Sequence, residues 1–303
     1  MKFAAVVVTY NRKSLLKEVL KAFDNQSRLP DYVIVVDNAS TDGSNEVLRQ
    51  WKKINVGNNK IVISSKANLG GSGGFYLGTK RALETCADWV WVSDDDAIPN
   101  TDTFEKAEQH LKEAIDNKNI AAICSQVQVE GKTDISHRKN IETSYFRMYQ
   151  TPVDISKYNN KYFECNSCSY VGMIIKTSVL KKVGLINKDF FIWQDDLDHS
   201  IRISKQGSII CYPDMIVDHQ ITKSDYNGIT WKTYYGYRND LNVLKSYYPK
   251  RLFFFKCLRM YQKAIMHFDL EHIKLINHAI KGSLFHEKGI NTIYKPGWKR
   301  GQN

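Results

Sequence analysis

Three consecutive aspartates, Asp94, Asp95 and Asp96, follow the apolar run WVWVS at 89–93. In an extended segment alternate side chains point the same way, so Asp94 and Asp96 face one site while Asp95 turns aside. Two carboxylates held this close repel unless a cation lies between them. Hard divalent ions such as Mn2+ or Mg2+ take oxygen ligands of this kind. A solvated acidic loop is the plainer reading of such a triplet. It weakens at the end of a buried strand, where uncompensated carboxylates are costly. A second acidic set, Asp195, Asp196 and Asp198, follows Trp193 at an expected helix start. Acidic residues suit that position for dipole reasons alone. A carboxylate there can also act as general base on a hydroxyl, with the indole offering an apolar face to a sugar ring. His219, after the strand-like MIVD, is either structural or a nitrogen ligand to the same cation.

Glycines at 70, 71, 73, 74 and 78 form a third feature. The run Gly73-x-x-x-x-Gly78-Thr79-Lys80 resembles a phosphate-binding loop but reverses the Lys-Ser/Thr order, and no G-x-G-x-x-G is present. What remains is a glycine turn into a helix, whose backbone can approach a diphosphate closely; a plain loop is the alternative. Cys165-x-x-Cys168 lacks a second pair at zinc spacing. The other four cysteines, Cys86, Cys124, Cys211 and Cys257, stand alone in the sequence, as suits reduced thiols.

These residues need a scaffold, and the first 130 residues provide one by alternating strand and helix signals. Strands are expected at Phe3–Thr9, Tyr32–Val36, Ile61–Ser64, Trp89–Val92 and Ile120–Cys124. Between them, Leu15, Leu16, Val19, Leu20 and Phe23 recur at helical spacing behind Ser14 as N-cap, and Gly43–Lys52, Gly74–Cys86 and Thr103–Ile115 are further helices. This alternation predicts an α/β fold with a mainly parallel central sheet buried on both faces. Ligands of such sheets bind beyond the carboxyl ends of the strands. The exits here are Thr9-Tyr10-Asn11-Arg12, Asp37–Ser40, Ala67–Gly74 and Ser93–Asp96, all polar or glycine-rich. Residues 130–165 carry no clear period. Strands follow at Tyr170–Ile175, Ile209–Tyr212 and Met215–Val217, with a helix after Phe190 carrying Ile201 and Ile203; from Trp231 the chain reads as helical.

At 303 residues and 43% hydrophobic, the chain can bury a substantial core, which argues against intrinsic disorder. No apolar run approaches the ~18 residues of a membrane span. The N-terminus reads as a first strand rather than a secretion signal, so a cytoplasmic location is expected. Of the net charge of +11, residues 245–303 hold 12 Lys/Arg against 3 Asp/Glu, a net of 12 − 3 = +9. Within them Phe254, Cys257, Leu258, Tyr261, Ile265 and Phe268 form one helical stripe, with Lys256, Arg259 and Lys263 along another side. This is a basic amphipathic helix suited to an anionic membrane surface, or an ordinary packed helix. No nucleic-acid-binding pattern accompanies the charge, so nucleic acid is not an expected partner.

Taken in order, VVVTYNR, VVDNASTDGS, NLGGSGGF, the DDD after an apolar strand, WQDDLDHS and a later DH followed by YYGYRN resemble the inverting family 2 glycosyltransferases of GT-A-like fold. Within them the set is most similar to bacterial galactofuranosyltransferases and rhamnosyltransferases, over roughly residues 3–240. The resemblance implies that Thr9, Tyr10, Asn11 and Arg12 lie along the nucleotide and Asp37 contacts its base or ribose. Asn68 and Gly70, Gly71 and Gly73 would line the diphosphate and donor sugar, with Asp95 among the donor-binding residues. Asp94, Asp96 and His219 would hold Mn2+ or Mg2+. Asp196 would be the base with Asp195 as catalytic neighbour, and Trp193 part of the acceptor platform.

The implied organisation is a catalytic domain over 1–240, split into a nucleotide-sugar half (1–130) and an acceptor half (131–240), with a basic helical region over 241–303. The implied reaction moves galactofuranose from UDP-galactofuranose to a hydroxyl of a lipid-linked saccharide, at the inner face of the cell membrane, in cell-surface polysaccharide synthesis. Rhamnose from dTDP-rhamnose is the alternative, and a non-catalytic nucleotide- or membrane-binding module the second. The chain lacks the large β-rich extension of the mycobacterial-type polymerases, which favours a single linkage over processive polymerisation.

Overall fold

A computed structural model describes residues 1–113, 119–220 and 228–301. The first half is a run of β–α units: β1 (Phe3–Thr9), α1 (Lys13–Asp24), β2 (Tyr32–Asp37), α2 (Ser44–Trp51), β3 (Asn59–Ser64), α3 (Gly70–Leu83) and β4 (Trp89–Asp94). After them come β5 (Ala97–Pro99), α4 (Thr103–Glu113), β6 (Ile120–Val129) and β7 (Lys132–Thr133). The stretch without a readable period is a hairpin, β8 (Arg138–Thr143) and β9 (Met148–Pro152), followed by β10 (Phe163–Cys165) and β11 (Ser167–Cys168). The second half continues with β12 (Met173–Lys176), α5 (Thr177–Val183), α6 (Asp195–Ser204) and β13 (Ser208–His219). It ends in α7 (Trp231–Tyr247), α8 (Lys250–Met266) and α9 (Leu270–Leu284).

The large sheet runs β10-β13-β6-β12-β4-β1-β2-β3, and β11-β8-β9 form a small one. Strand β1 is parallel to β2 and β4, β2 to β3, and β6 to β13. Strand β12 is antiparallel to both β4 and β6, so the long strands still share one direction and the expected mainly parallel α/β sheet is present. Both faces are covered, and β1 shows it residue by residue. Phe3, Ala5 and Val7 enter one core cluster, and Ala4, Val6 and Val8 the other.

Several local expectations are corrected. Helix α1 begins at Lys13 rather than after a Ser14 cap, because the Asp42 carboxylate, from the loop after β2, accepts the Lys13 N–H at 2.8 Å. Helix α3 starts at Gly70, four residues early. Gly70 adopts φ +71°, and the Asn68 side chain accepts its N–H at 2.8 Å. The later glycines serve close packing instead: a Cβ on Gly74 or Gly78 would lie 2.5 Å from Val8 or 2.3 Å from Val6. The runs at 209–212 and 215–217 are one strand, β13, with a register shift between Tyr212 and Ile216. The end of the helix expected to reach Ile115 lies outside the described residues. Cys124 and Cys211, isolated in sequence, meet Cys165 and Cys168 in a buried group of hydrogen-bonded thiols, and all six cysteines are free. Helix α8 buries Leu252, Met260 and Ala264, leaving Phe254, Leu258 and Ile265 of the expected stripe exposed.

Candidate active site

The exits of β1, β2 and β4, the start of α3, the loop before α6 and the end of β13 surround one cavity of about 650 Å³. Its lining includes Thr9, Tyr10, Arg12, Asn68, Gly70, Gly71, Asp94, Asp95, Asp96, Trp193, Asp195, Asp196 and His219, residues distant in sequence that the sheet brings together. Asn11, Asp37 and Gly73 lie outside the lining. Asn11 takes φ +53° and its side chain accepts the Thr41 N–H; Asp37 accepts the Ser40 N–H; Gly73 is buried in α3 under Leu69.

The first acidic cluster is compensated by positive charge. Asp95 accepts the Thr9 hydroxyl at 2.6 Å and an Arg12 N–H at 3.0 Å, and the same guanidinium reaches Asp96. Asp95 thus ties the exit of β4 to that of β1. Desolvation works against the Asp96 carboxylate, yet His219 and Arg12 outweigh it and lower its pKa. His219 lies 3.4 Å from Asp96, and although burial disfavours its charge, Asp96 and then Asp94 raise its pKa. Desolvation, then Asp96 and Asp95, push Asp94 to about 8 against the opposing pull of Arg12 and His219, and desolvation leaves Asp95 raised to about 6 despite Arg12 and Thr9. Among the described residues no three His, Cys, Asp or Glu side chains already converge as a metal cage. Even so, His219 Nδ1 is buried without a hydrogen-bond partner, and Asp96 Oδ1 has only the 3.4 Å pairing with His219 Nε2. Two carboxylates and an imidazole grouped in this way fit a divalent cation.

The second cluster is barely compensated. Desolvation, then Asp196, raise Asp195 to about 7. Asp196 is also raised by desolvation; its carboxylate accepts the Leu197 N–H at 2.8 Å, and Lys139 is the cation acting on it. Asp198 faces elsewhere, held by Arg202 at 2.8 Å and the Tyr247 hydroxyl at 2.7 Å. One turn of helix therefore divides three aspartates into two that meet the cavity and one that holds the fold.

A strained loop presents this pair. Phe191, Trp193 and Gln194 have φ of +67°, +66° and +68°. Left-handed backbone at non-glycine residues costs ~1–3 kcal/mol each and persists only where surroundings over-determine it. Here α7 does so. The Asn239 amide donates to the carbonyls of Phe190, Ile192 and Trp193, each at 2.9 Å, and the buried Arg238 guanidinium to those of Asp189, Phe190 and Gly289. On the other side the Phe191 carbonyl accepts the Ser72 N–H, and a Cβ on Gly70 would sit 1.9 Å from that oxygen. The glycine start of α3 thus receives this loop. Gly236 of α7 leaves room for the Trp193 ring.

Residues that sequence reasoning left without a role complete the cavity: His137 just before β8, Lys139 and Gln150 from the β8–β9 hairpin, and Trp231 from α7. The only signal for Arg238 and Asn239 was their place in the YYGYRN motif.

A family model for glycosyl transferase family 2 matches residues 4–184. The galactofuranosyltransferase GlfT1 of Mycolicibacterium smegmatis is 42% identical over 95 residues, 31% of this chain and 30% of that protein. The O-antigen chain rhamnosyltransferase RfbN of Salmonella typhimurium is 26% identical over 163 residues, 53% of this chain and 49% of its own length. The chain therefore aligns with no more than half of either relative. Among solved structures, the mannosyltransferase PcManGT of Pyrobaculum calidifontis, in complex with GDP-Man and Mn2+, superposes with a TM-score of 0.58 at 17% identity, covering 94% of this chain and 75% of that one. GalNAc-T7 with UDP, GalNAc and Mn2+ gives a TM-score of 0.68 at 13% identity, covering 95% and 58%. At such identities the likeness is one of fold, and the fold is the GT-A-like one.

Proposed function

The chain belongs to glycosyl transferase family 2, and on that premise we propose that it is an inverting, metal-dependent transferase that moves galactofuranose from UDP-galactofuranose to a hydroxyl of a saccharide. The observation that carries this reading is the pairing of two unlike acidic clusters on one cavity, one held by Arg12 and His219 and the other buried with little compensation. Similarity to GlfT1 supports the donor. We further propose a lipid-linked acceptor and a peripheral location on the inner face of the cell membrane. Among the described residues no helix is long and apolar enough to cross a membrane.

In this mechanism Asp94, Asp96 and His219 would hold Mn2+ or Mg2+. Such an ion, when bound, neutralises the charge that grows on a departing nucleoside diphosphate. Thr9, Tyr10 and Arg12 would lie along the nucleotide, and Gly70 and Gly71 at the start of α3, on the cavity wall, would let a diphosphate approach the backbone closely. Trp193 and Trp231 supply apolar faces for the acceptor sugar. Asp196 takes the proton of the acceptor hydroxyl on the face of the donor sugar opposite the leaving diphosphate, with Asp195 sharing the proton load. A single displacement inverts the anomeric centre. The closing of the cavity wall by the Asn239-held loop keeps both carboxyls in place through the displacement.

The test is a donor panel. With Mn2+ and an oligosaccharide acceptor, UDP-galactofuranose should give a product of inverted anomeric configuration, read by nuclear magnetic resonance. Transfer from dTDP-rhamnose without transfer from UDP-galactofuranose would reassign the donor. Tight nucleotide binding with no transfer or hydrolysis of any donor would instead mark a non-catalytic module.

A further inference from the structure

Helix α8 carries five Lys/Arg and no Asp/Glu in the sequence KRLFFFKCLRMYQKAIM. It is held to the body through Leu252, Met260 and Ala264, and through an ion pair between Lys256 and Asp240 of α7. Opposite this contact, Phe254, Leu258 and Ile265 recur at i, i+4 and i+11. Phe254 is 58% exposed, Ile265 57%, and Phe268 just beyond the helix 91%. An apolar stripe of this size facing water marks an interaction surface.

The stripe does not end with the helix. Tyr145 and Phe146, at the tip of the β8–β9 hairpin, are exposed as well. The Phe146 and Phe255 rings lie 5.0 Å apart and those of Phe255 and Phe254 5.8 Å apart. Arg251 donates to the Tyr145 carbonyl at 3.2 Å and Arg259 to the Phe146 carbonyl at 2.8 Å, fixing the tip on the helix. Two segments about a hundred residues apart in sequence therefore form one aromatic and aliphatic face, with Arg251 and Arg259 at their junction and Lys250 one turn before Phe254 on α8.

We propose that this face, the hairpin tip together with the outward stripe of α8, inserts into the headgroup layer of an anionic lipid bilayer. The chemistry selects that occupant. Aromatic and aliphatic side chains reach the acyl boundary while Lys and Arg stems lie along it with their charges at the phosphates. Each cation near such a surface adds ~1 kcal/mol. A second copy of this chain would bring two rows of cations together and repel. Nucleic acid would leave Leu258 and Ile265 without apolar partners. The inference deepens the proposed function and rests on it only for the acceptor. Strand β8 links Lys139 on the cavity wall to the tip by ~20 Å of extended backbone, so a saccharide held by a lipid anchored at the tip would lie within reach of the acceptor side.

The experiment uses the full chain with two kinds of vesicle, phosphatidylcholine alone and phosphatidylcholine mixed equally with phosphatidylglycerol. The protein should sediment with the anionic vesicles and only weakly with the neutral ones. Phe254→Ser combined with Leu258→Ser should reduce that partition about tenfold or more, with unchanged circular dichroism and unchanged turnover of a soluble acceptor. Phe254→Trp should show blue-shifted emission on adding anionic vesicles. A wild type that stays in the supernatant with both vesicle kinds overturns the proposal. So does a double variant that sediments like wild type, since charge alone would then suffice. A double variant that only converts a wild-type dimer to monomer in light scattering overturns it in favour of a second copy. Vesicle binding without sugar transfer supports this inference while sinking the sugar-transfer reading.

Discussion

Asp94–Asp96 and Asp195–Asp196 are both short acidic runs turned toward one cavity, and they are surrounded by opposite kinds of neighbour. The first sits at the exit of β4, where Arg12 comes from β1 and His219 from β13, so its middle and last members are held by cations. The second sits at the mouth of α6, where desolvation and Asp196 act on Asp195, and Lys139 is the cation acting on Asp196. Burial is shared and by itself raises every one of these carboxyls; Arg12 and His219 overcome it only at Asp96, whose pKa is lowered, while Asp94 and Asp95 are raised to about 8 and about 6 and Asp195 to about 7. An Asp96 kept charged suits the proposed cation, and a raised Asp195 suits the proposed proton-accepting pair.

The contrast can be broken at either end. Removing the divalent ion by chelation, or changing Asp96→Ala, should lower transfer by about 10⁴-fold, since it removes several kcal/mol of leaving-group stabilisation, and should weaken nucleotide binding measured by calorimetry. Asp196→Asn should lower transfer by about 10³-fold with nucleotide binding retained. If Asp196→Asn lost nucleotide binding and Asp96→Ala kept it, the two assignments would have to be exchanged. The loop that presents the second cluster offers a finer probe. Asn239→Asp keeps the shape but removes the donors to Ile192 and Trp193, and should reduce kcat about 10²-fold with the KM for the donor little changed.

The smallest effect is one of pH. Asp195 is raised to about 7 and Asp196 is raised above the ordinary carboxyl range, so on the proposed reading the pair takes up a proton as pH falls, Asp195 through about 7. Below it kcat/KM should drop about tenfold per pH unit. Stability runs the other way. A carboxyl whose folded pKa exceeds its unfolded one contributes stability at low pH that disappears as pH rises through about 7. Asp195→Asn should therefore lose less Tm than wild type between about pH 5 and about pH 8 in a thermal melt. An unchanged pH dependence of Tm would show that Asp195 is not desolvated as described.

Much of this arrangement was readable from the residues in order. Strand β1 and its polar exit stand out because an apolar β-branched run stops at Thr9, and DDD follows WVWVS in the same way. Parallel sheets gather such exits on one edge, so the cavity follows from topology. What was not readable depends on contacts across long spans. The β8–β9 hairpin has mixed polarity on both faces, which gives no period of two, and its Lys139 and Gln150 reach the cavity only through tertiary pairing. Arg238 and Asn239 act on carbonyls, which leave no trace in side-chain patterns. The stripe on α8 was legible as amphipathic, but the sequence alone does not say which side of the helix meets the body; Leu252, Met260 and Ala264 decide it.

The Arg238 guanidinium that holds the Asp189 and Phe190 carbonyls also takes the Gly289 carbonyl at 3.0 Å. The basic region is thereby a buttress of the reacting end as well as an appendage to it. Anyone shortening the protein near position 240, or fusing a partner into the stretch around 289, would be altering the loop that carries Trp193 and, one step on, the aspartates behind it.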